Sequence, residues 1–217
     1  MSSTITEKPI ATRDQILNAA EESVLSKGFG ATSIEELIAV VGISKSGFFY
    51  HFKDKNELAK ALLVRYVETD NELLEGIFVR ADELSEDPLH SFLIALKMIS
   101  EVFADLPNGH PGCVVASVCY HERLFSRDVI EFSEGAVLDW RNRFLERIER
   151  IVEVYPPRIE VNLSHLADMF SCVVDGGIIL SRLTKDPKAL PAQLNLYRDF
   201  IRLIFADPAD AGRAAGD

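Results

Sequence analysis

At 217 residues, 47% hydrophobic and 26% charged, the chain is long and apolar enough to bury a real core, which excludes a disordered or fibrous protein. Its net charge of -11 argues against a non-specific coat on nucleic acid. The acidity is uneven: residues 1–60 carry 7 Lys+Arg and 8 Asp+Glu, a net of -1, and residues 61–217 carry the remaining -10. The 3 cysteines form no C-x-x-C pair, no basic stretch leads into an apolar run near Met1, and runs such as Gly176 to Leu180 are too short to cross a bilayer. A cytoplasmic protein without a membrane partner is the expectation.

In chain order, Met1 to Ile10 has no periodicity and reads as an arm. Thr12 and Gln15 have capping-box spacing, and Ile16, Leu17, Ala20, Val24 and Leu25 form a helical stripe that Gly28 ends. Thr32 and Glu35 have the same capping-box spacing before a second stripe of Ile34, Leu37, Ile38 and Val41. Gly42 stops that helix, because glycine takes the left-handed backbone at little cost. Ser44 then caps a third helix holding Lys45, Ser46, Gly47, Phe48, Phe49, Tyr50, His51 and Phe52. Helix, short glycine turn, and helix with small and basic residues at its start make a helix-turn-helix pattern. Asp54 and Glu57 begin a long fourth helix through Leu58, Leu62, Tyr66, Leu73, Leu74 and Phe78, expected to be the only covalent link to the rest of the chain.

Asp87-Pro88 opens the next helix, with proline at its first position. Leu89, Phe92, Leu93, Leu96, Ile99 and Phe103 face inward along it. LPNGHPG is a turn, Cys113 to His121 a short apolar helix, and Ser126 to Val154 a long amphipathic one that Tyr155-Pro156-Pro157 breaks. Leu163 to Leu183 and Leu190 to Phe205 are two more, and the tail from Ala206 is small and polar. No strand-like alternation recurs, so the expected fold is all-α with about nine helices.

The segment GISKSGFFYHFKDKNEL resembles the signature of the TetR family of bacterial transcriptional regulators. Gly42, Ser44, Lys45, Phe48, Phe52, Lys55 and Leu58 match the pattern as they stand. Ser46 and Gly47 replace a usual Gly-Thr pair, and Phe49 stands where the family has a phosphate-binding tyrosine. The resemblance covers the first quarter to third of the chain. It implies a helix-turn-helix DNA-binding domain at 1–57, followed by a helical effector-binding and dimerisation domain at 58–217. The implied function is a homodimeric transcriptional repressor on double-stranded, palindromic operator DNA, released by a small-molecule effector, with no enzymatic activity.

On this reading Thr32, Ser44, Tyr50, His51 and Lys55 position phosphates, and Lys45, Ser46 and Gly47 approach bases. Phe170, Val174, Gly177, Ile178, Leu196, Phe200 and Leu203 are expected in the dimer interface. Two glycines inside one helix, Gly176 and Gly177, let another helix come close. The effector-site candidates are Phe103, Cys113, Tyr120, His121, Trp140, Phe144, Met169 and Cys172; taken singly, each is more ordinarily a core residue. His110 with Cys113 lacks third and fourth ligands, so no metal and no cofactor is expected. A helical small-molecule binding protein or enzyme with the helix-turn-helix as mere scaffold is the alternative. So is a same-fold activator without a small-molecule effector.

Overall fold

A computed structural model of the chain describes residues 11–205, so the expected arm and tail lie outside the described residues. Nine α-helices and one 3-10 turn account for the regular structure there: α1 (Thr12–Ala31), α2 (Ile34–Val41), α3 (Lys45–His51), α4 (Lys55–Leu84), α5 (Pro88–Ala104), α6 (Val114–Cys119), the 3-10 turn Glu122–Leu124, α7 (Arg127–Val154), α8 (Leu163–Thr184) and α9 (Ala189–Phe205). No strand occurs among the described residues. The fold is the all-helical one that the periodicity predicts.

The chain divides into two compact units, and the division does not follow a single cut at 57. Among the described residues the first unit is formed by 11–66 together with Val114–Ser133, and the second by Val67–Cys113 together with 134–205. The chain therefore passes between units inside α4, at the start of α6 and inside α7, so α4 is not the only covalent link. Val114, Val115 and Val118 are buried in the first unit, and α6 packs on α1. Phe125 meets Phe29 edge-on with ring centroids 4.9 Å apart. Both contacts are long-range, which is why local pattern could not assign this segment.

The local signals mostly act where the sequence puts them. Asp54 accepts from the backbone N–H groups of Asn56 and Glu57, while Glu57 accepts from that of Lys53. Asp87 accepts from the N–H of His90, with Pro88 in the first turn of α5. Asn162 caps α8 in the same way. Two caps differ. The N-cap of α1 is Ala11, without a side-chain bond, and that of α2 is Ser33, which accepts from Glu36. Gly28 breaks α1 at φ 81, ψ 162, and a last short turn carries the helix on to Ala31.

The second unit is built on aromatic rings. Phe144 lies edge-on to Phe78 at 5.5 Å and to Phe92 at 5.9 Å, and stacks on Phe170 at 3.9 Å. Four large rings from α4, α5, α7 and α8 thus share one centre, and each such pair adds roughly 0.5–1.5 kcal/mol beyond its area burial. Arg147 forks onto both carboxylate oxygens of Asp82 at 3.0 Å and lies 4.0 Å over the Phe78 ring. That guanidinium holds the Asp82 carboxyl below the usual carboxylate range. α9 packs against α5 and α8, and Tyr197 donates to the carbonyl of Leu166. At 22 residues α8 is long and apolar enough to cross a membrane by length and composition, unlike the short runs within it; here one side of it carries Phe170 and Ile178 in the core.

Candidate nucleic-acid interface

Phe48 and Phe52, one turn apart on α3 and its C-cap, are both fully buried. Their anchoring turns the other side of the short helix outward. Ser44, Lys45, Ser46, Phe49 and Tyr50 are exposed there, Tyr50 at 85%. Gly42 sits at φ 73, ψ 32, and its N–H bonds the carbonyl of Ile38. This left-handed residue lets the chain turn from α2 into α3 within three residues. Ser44 accepts from the N–H of Gly47 at 3.0 Å, and a Cβ on Gly47 would come within 3.3 Å of the Ser44 hydroxyl oxygen. Glycine here keeps the cap tight. Lys45 lies 4.0 Å from Glu35, with both side chains at least 70% exposed, so water screens the pair and leaves the ammonium available. His51 is half-buried and meets the Tyr50 ring edge-on.

Two predicted phosphate contacts have other partners. The Thr32 side chain is buried, bonded to the Ser23 hydroxyl at 2.9 Å and to the Gly28 carbonyl at 3.0 Å. Lys55 is half-buried and donates to the Phe29 carbonyl at 2.5 Å, and burial pulls its pKa below the ordinary lysine value. Both side chains secure the end of α1 just after the Gly28 break. The capping-box spacing hid the first role, and a bond across 26 residues of sequence hid the second. Two residues that sequence reading did not choose share the exposed surface: Phe49, at 42%, and Lys53. Exposure at Phe49 follows from its place one residue after the buried Phe48.

Lys55→Met, which keeps the length and removes the donor, is therefore expected to destabilise the protein by about 1 kcal/mol. Urea unfolding measures this. The salt dependence of DNA binding should stay unchanged. A fall in its logarithmic slope of roughly 0.9 per subunit would return Lys55 to a phosphate role.

The effector candidates fall in both units. Tyr120 and His121 belong to the first, where both are exposed; the His121 ring would meet a Cβ on Gly28 at 3.6 Å. Phe103, Cys113, Trp140, Phe144, Met169 and Cys172 belong to the second. Phe144 is a core ring, Met169 packs against the core and Cys172 is exposed. Phe103 meets His110 edge-on at 5.2 Å, and burial lowers the pKa of that histidine. Cys113 is half-buried and hydrogen-bonded to Asp175, whose pKa burial raises.

The dimer candidates divide as well. Leu196, Phe200 and Leu203 form an exposed stripe on α9, and Ile179, Leu180 and Leu183 are exposed on α8. Phe170 and Ile178 are in the core and Val174 packs against it. Gly177 is buried within the chain, where an added Cβ would lie 2.7 Å from a Leu190 methyl and 3.1 Å from the Leu190 Cα. The helix that comes close at Gly177 is α9 of the same chain, and only Gly176 faces open space.

Residues 16–62 match the sequence model of the bacterial regulatory proteins of the tetR family. Over this segment the chain is similar to the TetR family of regulators. It is 30% identical to the probable HTH-type transcriptional regulator ArpR of Pseudomonas putida over 136 residues, 61% of this chain and 62% of that protein. It is 29% identical to the HTH-type transcriptional regulator TtgR of Pseudomonas putida over the same shares. The match thus spans a little under two thirds of either relative. The fold is similar to that of a TetR regulatory protein from Rhodobacter sphaeroides, with a TM-score of 0.73 at 19% identity, covering 89% of this chain and 98% of that one. The matched segment ends at Leu62, in the first turns of α4.

Proposed function

We propose that this chain is a homodimeric, DNA-binding transcriptional regulator of the cytoplasm, a repressor that a small-molecule effector releases from its operator. The exposed face of α3 carries the reading. A seven-residue helix pinned by two buried phenylalanines presents Lys45, Ser46 and Tyr50 together. These side chains are exposed among the described residues, and their types suit a major groove. Ser44, Tyr50, His51 and Lys53 position phosphates, while Lys45, Ser46 and Gly47 lie against base edges. Two copies joined through the exposed leucine stripes of α8 and α9 place two such helices on half-sites about 34–36 Å apart. An effector held in the second unit beside Trp140 acts by binding more tightly to a dimer whose reading helices are mis-spaced.

Lys45→Ala tests the reading. It is expected to weaken binding to the preferred operator by about 1–3 kcal/mol and to relax base preference at one position of each half-site. Selection of binding sites from a random duplex pool, followed by titration at fixed salt, gives both quantities. A chain that shows no sequence preference at any salt would be a helical binding protein in which the helix-turn-helix is scaffold.

A further inference from the structure

Two buried polar atoms in the second unit lack a hydrogen-bond partner among the described residues: the side-chain oxygen of Asn71 on α4 and the indole N–H of Trp140 on α7. Their positions are related. α4 and α7 run side by side in the same direction, as three contacts show in succession: Glu75 with Arg143 at 3.2 Å, Phe78 with Phe144 at 5.5 Å, and Asp82 with Arg147 at 3.0 Å. Asn71 precedes Glu75 by about one turn and Trp140 precedes Arg143 by about one turn. An orphaned acceptor and an orphaned donor therefore fall at one level of one helix pair. Leaving either group unsatisfied is costly, and native folds rarely keep such groups without a use for them.

The chemistry of an occupant follows from the surroundings. It must accept from the Trp140 N–H and donate to the Asn71 oxygen. The charged groups bridging α7 to its neighbours here are already matched, Arg143 with Glu75, Arg147 with Asp82 and Arg141 with Asp168. No unmatched partner among them calls for an ion. The next turn inward brings the Phe78, Phe144 and Phe170 rings. We infer that Asn71 and Trp140 are the polar pair of a small-molecule site for an uncharged aromatic amide. The amide carbonyl accepts from Trp140 and the amide N–H donates to Asn71. The regulatory meaning of the site rests on the effector reading above; its occupancy does not.

Benzamide is the probe, titrated into the full-length protein without DNA. Emission of Trp140, the only tryptophan, and calorimetry report binding. The expected result is a saturable emission change, with benzoate, which lacks the donor, and toluene, which lacks both donor and acceptor, at least about tenfold weaker. Asn71→Leu should lower benzamide affinity about tenfold while raising the melting temperature of the unliganded protein, since an unsatisfied acceptor has been removed. Trp140→Phe, followed by calorimetry, should show a similar loss. Absence of a saturable response in the wild type, or wild-type affinity in both variants, would overturn the inference and leave the two groups to a buried water. Amide binding that depends on Asn71 in a protein without operator preference keeps the site and removes the regulatory reading. Operator binding without amide binding does the reverse.

Discussion

A double variant, Leu196→Glu with Leu203→Glu, is expected to sediment as a folded monomer and to lose operator affinity by roughly a hundred- to ten-thousand-fold, the factor that two linked reading heads supply over one. The reasoning starts from exposure. Leu183, Leu196 and Leu203 are 80%, 61% and 66% exposed in the single chain, and Ile179, Leu180 and Phe200 extend the same apolar surface over α8 and α9. Soluble monomers rarely carry a contiguous patch of this kind. The two leucines lie two turns apart on α9 and stand outside the buried core, so glutamate there should leave the circular dichroism spectrum and the melting temperature nearly as they were. At an interface between two copies, each pair of carboxylates would be desolvated without a partner. Analytical ultracentrifugation together with an operator titration decides the matter. A variant that remains dimeric would put the interface on another face.

Gly177→Leu is expected to cost about 3 kcal/mol or more and to reduce the folded yield sharply. The Cβ alone would meet the Leu190 methyl at 2.7 Å and the Leu190 backbone at 3.1 Å, and the rest of the side chain has nowhere to go. The neighbouring glycine gives the internal control. Nothing lies within 4 Å of a Cβ on Gly176, so Gly176→Ala should stabilise the helix by about 0.5–1 kcal/mol through the usual advantage of alanine over glycine. Urea unfolding of the two variants should therefore shift in opposite directions. If both shift alike, the close contact between α8 and α9 in one chain does not limit position 177. The expected damage is to folding first and to dimerisation only in consequence.

These two experiments mark what was legible in the sequence. The presence of small residues in α8 was readable from composition within a helix, but whether they admit a helix of the same chain or of a second copy depends on the path of α9, which no local pattern carries. The turn at Gly42 and the cap at Ser44 were readable because each depends on residues within four positions. The intramolecular partners of Thr32 and Lys55 were hidden for the opposite reason. Both sit in or beside a motif whose spacing is right for DNA contact, and both bond to the end of α1, through Gly28 and Phe29. The segment at Val114–Ser133 gave no sign of its unit, since its apolar residues would suit any core. Trp140 was readable as an effector-site candidate, but Asn71 was not, because its burial depends on the side-by-side run of α4 and α7.

The split composition of the first unit bears on how such regulators are re-engineered. A chimera that grafts residues 1–66 onto a foreign sensor would leave Phe29 without the edge of Phe125, and would deprive α1 of the valine side chains of α6 that pack on it. The transplanted head would then have to find substitutes for both in a sequence not selected to supply them. Here the reading head is a discontinuous module. A working transplant has to carry two stretches of coding sequence, the second reaching from Val114 to Ser133.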